Sequence, residues 1–276
     1  MSLLDVKNLR VTFDTETGPV QAVRGVSFSL GRERLGIVGE SGSGKTMTGR
    51  AVLRLIRPPG RIEAEAMTFD GQDLMKASER EMRALRGKRI GMIMQDPKFS
   101  LNPVMTVGRQ LTEGLRLRDG LGRADATAKA LAALEAVQIR DPERVMGAYP
   151  HELSGGMGQR VMIAMMLIPE PDLLIADEPT SALDVTVQAE VLSILDNLVR
   201  DRNMSLIFIS HDLRLVARFC DRVLVMYKGR IVEEVAAGKL LDAQHPYTRG
   251  LLNCLPRIGG PREPLPGLDR TGAWAE

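Results

Sequence analysis

The residues with the clearest chemistry form a glycine-rich segment, GESGSGKT, at positions 39 to 46. The segment matches the pattern G-x-x-x-x-G-K-S/T, in which a loop binds the phosphate groups of a nucleotide. An apolar, strand-like run at 35 to 38 precedes it, and a helix-compatible run at 46 to 53 follows it. The alternative, a flexible Gly/Ser linker, does not explain this order of strand, loop and helix, so the sequence predicts a phosphate loop.

Each residue type in this segment suits a polyphosphate. Glycines let the backbone turn its N–H groups inward, and the start of the following helix adds its positive end. Lys45 supplies a charge for the β and γ phosphates, and the Thr46 hydroxyl can bind Mg²⁺. The residues expected to contact the nucleotide are Gly39, Glu40, Ser41, Gly42, Ser43, Gly44, Lys45, Thr46 and Met47.

Two adjacent carboxylates, Asp177 and Glu178, close a second apolar run that begins at Pro171. Runs of this kind form buried parallel strands, and open α/β sheets place ligands at the carboxyl ends of such strands. Asp177 suits metal binding through water, whereas Glu178 suits orienting and deprotonating an attacking water molecule. An acidic turn that only ends the strand is the alternative for these residues taken alone.

Two further polar residues follow strand-like runs. His211 comes after the run 205 to 210 and could donate a hydrogen bond to a γ phosphate, with a purely structural histidine as the alternative. Gln95 comes after the run 91 to 94, and its neutral amide could reach both Mg²⁺ and the attacking water. The expected catalytic residues are Glu178, His211 and Gln95. The expected metal-site residues are Thr46, Gln95 and Asp177.

A second glycine-rich element, LSGGMGQR, occupies positions 153 to 160. A serine followed by glycines can open a helix whose N–H groups and positive end bind an anion without a lysine. Such a site is weak alone and becomes strong when it faces a phosphate already held by Lys45 of another copy of the fold. A capped helix start without a ligand is the alternative. The residues expected to contact the nucleotide here are Ser154, Gly155, Gly156 and Gln159.

These elements together resemble the nucleotide-binding subunit of ATP-binding cassette (ABC) transporters. The family's motifs occur here in its order: the phosphate loop, Gln95, the element at 153 to 160, the carboxylate pair, the loop 181 to 184, and His211. In that family an aromatic residue near the end of the first strand stacks on adenine. Phe13 occupies the matching place, with core packing as the alternative for its ring. The resemblance implies ATP and Mg²⁺ as cofactors and hydrolysis of ATP as the activity.

A closer match is to the branch of this family that serves dipeptide, oligopeptide and nickel importers. It rests on QDPKFSLNP at 95 to 103, YPHELSGGM at 149 to 157, ALDVTVQA at 182 to 189 and HPYT at 245 to 248. The resemblance implies import of peptides or a related small solute, with nickel chelates, glutathione and opine-like compounds as alternatives. Relatives with Met at the position of Met157 usually pair with a distinct second cassette, so a heterodimer with a paralogous ATPase is also implied.

Composition is typical of an α/β domain. The chain has 276 residues, of which 44% are hydrophobic and 26% charged, enough to bury a substantial core. A net charge of +2 does not indicate a basic surface for binding nucleic acid. The two cysteines, Cys220 and Cys254, have no metal-binding spacing. The longest apolar run, 161 to 168, is shorter than the roughly 20 residues that span a bilayer, and the N-terminus does not resemble a secretion signal.

If the protein acts at a membrane, other subunits must therefore cross it. We expect a peripheral subunit on the cytoplasmic face of the cell membrane. Its expected partners are the second cassette, two transmembrane permease subunits and, indirectly, an extracytoplasmic solute-binding protein, and no nucleic acid. The rival interpretation is a soluble cassette ATPase that acts on nucleic acid, but such proteins usually carry long coiled-coil insertions or two cassettes. A small-molecule kinase would not explain the element at 153 to 160 or His211.

The order of elements predicts an α/β fold, a P-loop NTPase core of the RecA-like class. Strand-like runs up to about residue 34, with a Gly-Pro turn at 18 and 19, predict an antiparallel β subdomain. Residues 35 to 94 and 161 to 235 are expected to form the nucleotide core, and about 96 to 160 an inserted helical subdomain that ends with LSGGMGQR. The expected domains are an ATPase domain at 1 to 240 and a C-terminal extension at 241 to 276.

Two helices and one contact region can be predicted in more detail. Alanine-rich spacing favours a helix over 124 to 137, and residues 186 to 200 form another helix with an apolar face. Core packing is the expected role of that face, with a partner groove as the alternative; its residues are Val187, Val191, Ile194, Leu195 and Leu198. The region from Gln95 to Val107, including Met105, is expected to contact a membrane partner, whereas Met92 and Met94 are expected in the core.

Overall fold

The computed structural model describes residues 2 to 94, 101 to 181 and 183 to 254. These residues form two compact units. Unit one contains the chain up to Met75 and from Phe208 onward, and unit two contains Lys76–Ile207. Gln95, Ala182 of the loop 181 to 184, and the extension beyond residue 254 lie outside the described residues.

The elements follow one another as strands and helices along the chain. The strands are β1 (Leu4–Thr15), β2 (Gly18–Leu30), β3 (Arg34–Val38), β4 (Gly60–Glu63), β5 (Ala66–Phe69), β6 (Gln72–Asp73), β7 (Ile90–Ile93), β8 (Leu173–Asp177), β9 (Ser205–Ser210), β10 (Arg222–Tyr227) and β11 (Arg230–Ala236). The helices are α1 (Lys45–Val52), α2 (Glu79–Leu85), α3 (Val107–Leu117), α4 (Arg123–Ala136), α5 (Pro142–Gly147), α6 (Gly155–Leu167), α7 (Val185–Asp201), α8 (Leu213–Phe219) and α9 (Pro246–Asn253), with short 3₁₀ turns at Pro150–Glu152 and Ala237–Asp242.

An antiparallel sheet in unit one is built on the long hairpin of β1 and β2. The two strands pair from Leu4 opposite Leu30 to Thr15 opposite Gly18. Leu9 in β1 is buried, as are several apolar residues of β2. This arrangement confirms the antiparallel subdomain and the turn near residue 18 that the sequence predicts.

Residues 60 to 73 belong to a different sheet from the one that the sequence predicts. The sequence placed them in the nucleotide core, but β4 and β5 pair with β1, and β6 pairs with β5, so all three strands join the antiparallel sheet. The turn between β5 and β6 is formed by Asp70 and Gly71, which both have positive φ, 48° and 78°. Asp-Gly favours two-residue hairpin turns of this kind, so a local signal for the hairpin was present in the sequence.

The strands next to the predicted site residues are parallel. The boundary between the units falls within β9. In unit one the strand order is β11-β10-β3-β9, with β11 antiparallel to β10, and in unit two the order is β9-β8-β7. β3 pairs in parallel with β10, and β7 pairs in parallel with β8. Every residue of β8 and β9 is buried. Near-continuous apolar strands are expected where a parallel sheet is covered on both faces.

The inserted helices of unit two agree with the sequence pattern. Helices α3 to α6 pack on one another, and α6 also packs on β7. The helix predicted over 124 to 137 is α4, which buries small residues and Leu134. α7 buries four of the five residues predicted for its apolar face, and Val187 in its first turn is half-buried.

Met94 lies outside the core, contrary to the expectation from the sequence. Its side chain is 39% exposed, whereas Met92 within β7 is half-buried. β7 ends at Ile93, so Met94 follows the last residue that the pleat of the strand directs towards the core.

Close packing of α8 on β3 leads to a prediction for stability. A Cβ atom at Gly36 would lie 2.2 Å from Val216 Cγ1 and 3.2 Å from Cys220 Sγ. Because both neighbours are buried, Gly36→Ala should lower the free energy of unfolding by about 1 to 3 kcal/mol, as measured by denaturant titration. The matched control is Gly114→Ala in α3, where the new methyl meets no atom within 4 Å and should raise stability by up to about 1 kcal/mol. Equal effects of the two changes would contradict this packing.

Candidate functional site

The phosphate loop between β3 and α1 is held in glycine conformations. Gly39, Gly42 and Gly44 have φ of +151°, +79° and +99°, in the region that favours glycine. A Cβ atom at Gly39 would lie 2.1 Å from the carbonyl oxygen of Met226, and one at Gly44 would lie 2.4 Å from that of Ala22. The loop therefore lies so close to the backbones of β10 and β2 that no side chain fits at either position.

The side chains of the loop provide a cradle for an anion. Lys45 is 5% exposed, and its ammonium donates hydrogen bonds of 2.8 Å to the carbonyl oxygens of Gly39 and Glu40. Ser43 is buried, and its hydroxyl oxygen has no hydrogen-bond partner among the described residues. A buried cation close to a buried polar atom without a partner fits an anionic ligand such as a phosphate. Thr46 and Met47 follow in the first turn of α1, both half-buried.

Residues that sequence reasoning did not assign to the site adjoin the loop. Tyr227 and Lys228 line a pocket of about 430 Å³ together with the loop residues 40 to 43. The backbone N–H of Gly229 donates to the carbonyl oxygen of Ser43 at 3.0 Å. Lys228 and Gly229 have positive φ, 43° and 84°, and form the two-residue turn between β10 and β11. A Lys-Gly turn between two apolar runs was visible in the sequence, but its contact with the loop was not.

Helix α9 also reaches the loop. Tyr247 is buried, and its hydroxyl accepts a hydrogen bond of 3.1 Å from the backbone N–H of Glu40. Burial raises the pKa of the Tyr247 phenol to about 12, so it is neutral at physiological pH. The motif HPYT drew attention to this residue in the sequence but gave it no role.

The other two predicted site residues of unit one, His211 and Phe13, differ in exposure. His211 is exposed and directly follows β9, and the next residue, Asp212, caps α8 by accepting the N–H groups of Arg214 and Leu215. Phe13 lies in β1 and is half-buried. A Cβ atom at Gly60 would lie 2.6 Å from Phe13 Cε1, so the ring packs closely on the backbone of β4. One edge of the Phe13 ring is thus covered by its own sheet.

The two adjacent carboxylates of unit two differ in burial and backbone conformation. Asp177 is the last residue of β8 and is 2% exposed, whereas Glu178 is half-buried and has φ of 48°. A left-handed conformation at a residue other than glycine is strained and interrupts the alternation of the strand. The carbonyl oxygen of Glu178 accepts the N–H and the hydroxyl of Ser181 at 3.3 and 3.2 Å, which closes the turn that leaves the strand.

The element at 153 to 160 opens helix α6, as the sequence predicts. Ser154 is the N-cap residue, and its hydroxyl oxygen accepts the N–H of Met157 at 3.3 Å. Ser154 and Gly155 are exposed. A Cβ atom at Gly156 would lie 2.8 Å from Val187 Cγ1, so the starts of α6 and α7 approach closely. Gln159 is 2% exposed, and its Nε2 has no partner among the described residues, so its side chain lies inside and not at the helix end.

A pocket of about 660 Å³ lies beside the start of α6. Its lining includes Ser154 and Gly156 and the side chains of Arg140, Arg144 and Arg160. Arg160 pairs with Glu190 and donates to the carbonyl oxygen of Gln138 at 3.0 Å. Asp141 and Glu190 also line the pocket and pair with Arg144 and Arg160, so most of the arginine charge beside the N-terminus of α6 is balanced.

The metal-site expectation can be compared with the oxygen donors present. Within the described ranges, no three His, Cys, Asp or Glu side chains are close enough together to hold a metal ion. Mg²⁺ in nucleotide sites is bound mostly by water and phosphate oxygens and by only one or two protein oxygens. The Thr46 hydroxyl in unit one and the Asp177 carboxylate in unit two are each an oxygen donor of that kind.

Comparison with known proteins agrees with this set of motifs. Residues 23 to 181 match the family model described as ABC transporter. The chain is 51% identical over 259 residues to the oligopeptide transport ATP-binding protein OppD of Bacillus subtilis, covering 93% of this chain and 72% of that protein. It is 47% identical over 270 residues to the dipeptide transport ATP-binding protein DppD of Escherichia coli, covering 97% and 83%.

Solved structures show the same fold. A dimer of the ATP-binding cassette MJ0796 bound to ADP and Pi has a TM-score of 0.75 and 26% identity, covering 85% of this chain and 98% of that chain. The chain therefore belongs to the ABC transporter family, which confirms the resemblance and the P-loop NTPase fold inferred from the sequence. It is an ATP-binding ATPase whose hydrolysis is coupled to transport.

Proposed function

We propose that this chain hydrolyses MgATP as a peripheral subunit of a membrane importer for peptides or a related small solute. The observation that carries the proposal is the pair of glycine elements, one folded as a cradle around Lys45 and the other exposed at the capped start of α6. The names of the relatives, oligopeptide and dipeptide transport ATP-binding proteins, support peptides as the solute.

In this proposal, the loop at 39 to 47 binds the phosphates. The backbone N–H groups and Lys45 hold the β and γ phosphates, because the loop's glycines leave the backbone accessible. Thr46 and Asp177 would hold Mg²⁺, and the ion would neutralise charge on the phosphate oxygens. The half-buried ring of Phe13 stacks on adenine, since an aromatic face accepts a base without a specific hydrogen bond.

Three side chains act on the reacting atoms. Glu178 orients the attacking water and accepts its proton, and its half-buried position after β8 leaves the carboxylate within reach of solvent. His211, exposed at the end of β9, donates a hydrogen bond to the γ phosphate. Gln95 is assigned to the metal and the water on its place in the sequence alone.

The second glycine element acts on the nucleotide of a facing cassette. Ser154, Gly155 and Gly156 bind the γ phosphate held by the partner's phosphate loop, so each nucleotide is bound by both cassettes. Hydrolysis removes the shared phosphate, and the contact that favours the closed dimer is lost with it.

The partners follow from the same family. We assign the facing cassette to a paralogous ATPase, the path across the membrane to two permease subunits, and delivery of the solute to an extracytoplasmic binding protein. Across the described residues, no helix has the length and apolar character needed to cross a bilayer. The assembly would hold this chain at the cytoplasmic face of the membrane.

The segment 101 to 106 is a suitable contact for a permease. The Gln110 side chain fixes it, because its Oε1 accepts the N–H of Asn102 at 2.8 Å and its Nε2 donates to the carbonyl oxygens of Asn102 and Met105 at 3.0 and 2.9 Å. Val104 in this segment is 79% exposed. A fixed loop that presents an apolar side chain fits a partner surface better than a mobile one.

Glu178→Gln should retain MgATP binding and lose turnover by roughly 100-fold or more, because the amide cannot accept the proton of the attacking water. Steady-state hydrolysis is measured in the assembled transporter with the partner's site disabled separately. Glu170→Gln is the matched control, since Glu170 is an exposed carboxylate of the same unit that also has positive φ. Near-normal turnover of Glu178→Gln would reject this residue as the base.

The two glycine elements should have separable roles in the isolated chain. Lys45→Ala should weaken nucleotide binding, because it removes a charge directed at the β and γ phosphates. Ser154→Arg should leave that binding intact and block closure with the facing cassette, while Ser154→Thr, which keeps a capping hydroxyl, should permit closure. Binding is measured by calorimetric titration. Equal loss of ATP affinity in Lys45→Ala and Ser154→Arg would contradict a site shared between two cassettes.

The purified complex should contain this chain and a different cassette in equal amounts. A heterodimer allows the two nucleotide sites to differ in rate, which a symmetric dimer does not. Quantitative mass spectrometry of the intact complex gives the subunit ratio. Two copies of this chain on the permeases, fully active without another ATPase, would refute the heterodimer and leave the transporter assignment unchanged.

A further inference from the structure

The hydrogen bond between Tyr247 and the phosphate loop acts on a single peptide unit. The N–H of Glu40 donates to the Tyr247 hydroxyl at 3.1 Å, and the carbonyl oxygen of the same peptide unit, that of Gly39, accepts from Lys45 Nζ at 2.8 Å. The two contacts therefore hold opposite sides of one peptide plane. Rotation of this plane would change the direction of the loop just before the residues that form the cradle.

The surroundings of Tyr247 fix its hydroxyl. His245 caps α9 by accepting the N–H of Tyr247 at 3.2 Å on its Nδ1. Glu233 in β11 accepts the N–H groups of Gln244 and His245 at 2.8 and 3.1 Å, which ties the start of α9 to the sheet. The ring of Tyr247 packs against that of Tyr227, with centroids 4.5 Å apart. The phenol is thus held by a cap, an anchored turn and an aromatic neighbour.

We propose that Tyr247 is a positioning residue that orients the Gly39–Glu40 peptide for nucleotide binding. This role rests on the proposed function in one respect, that Lys45 binds the phosphates. When phosphates bind, the Lys45 ammonium turns to them and leaves the Gly39 carbonyl, whereas Tyr247 keeps its bond to the same peptide unit. Loss of the Tyr247 hydroxyl would therefore free this peptide plane in the occupied loop, where Lys45 no longer holds it, but not in the empty loop, so α9 becomes part of the nucleotide site.

Tyr247→Phe tests this role because it removes the hydroxyl and keeps the ring. It should raise the dissociation constant of the full-length chain for MgATP by about 3- to 10-fold, the value of one net hydrogen bond. In the assembled transporter, KM for ATP should rise by a similar factor while kcat changes less than about 2-fold. Tyr149→Phe is the matched control, since it removes the same hydroxyl from a 40% exposed ring in unit two; its dissociation constant should stay within about 2-fold of the parent.

An unchanged dissociation constant in folded Tyr247→Phe, or an equal rise in Tyr149→Phe, would overturn the proposal. Lys45→Ala in the same titration tests the proposed function separately. If Lys45→Ala binds MgATP more weakly while Tyr247→Phe binds normally, only the role of Tyr247 is refuted. If Lys45→Ala also binds normally, the proposed function fails as well. A measurement on the parent chain covers the case in which Tyr247→Phe does not fold. The Glu40 amide should exchange with deuterium at least about 10-fold more slowly than that of exposed Ser41 without nucleotide, and equal exchange rates would refute the hydrogen bond.

Discussion

The close approach of two neighbouring backbones to the phosphate loop is the constraint on which the rest of the site depends. The carbonyl oxygens of Met226 and Ala22 occupy the space that Cβ atoms at positions 39 and 44 would need, so the loop passes between them as bare backbone. Glycine is required there by contact as well as by its positive φ. The Glu40 N–H donates to the Tyr247 hydroxyl of α9, and the Gly229 N–H donates to the Ser43 carbonyl oxygen, so neighbouring elements hold the loop in place.

A second constraint separates the two carboxylates. The left-handed backbone at Glu178 costs about 1 kcal/mol or more and is maintained by the turn that Ser181 closes. Asp177 stays buried at the end of its strand, while the next residue leaves the pleat. Lys45 is buried within the phosphate loop of unit one, whereas Ser154 at the start of α6 in unit two is exposed. In the proposed mechanism, this inequality makes hydrolysis depend on a second cassette.

Local patterns predicted the parts of the molecule that local rules determine. The glycine spacing at 39 to 46 predicted the phosphate loop, and helical periodicity predicted α4 and α7. Contacts between distant segments could not be predicted, because nothing near Tyr247 specifies that its partner is the Glu40 amide, 207 residues away. Two other expectations failed over the details of single elements. Met94 lies outside the core because β7 ends one residue earlier. Gln159 was expected to contact the nucleotide, but its position on α6 directs its side chain into the protein.

The central claim, that one nucleotide is bound by the phosphate loop of one cassette and the capped helix of the other, can be tested by labelling. An ATP analogue with a photoreactive group on the γ phosphate is bound to the assembled transporter, and the labelled peptides are identified by mass spectrometry. With Lys45→Ala in this chain, labelling of its residues 39 to 47 should fall, while labelling of residues 153 to 160 should persist, because these contact the nucleotide held by the partner. Loss of both labels together would show that the two elements of this chain share one nucleotide, and would contradict the account.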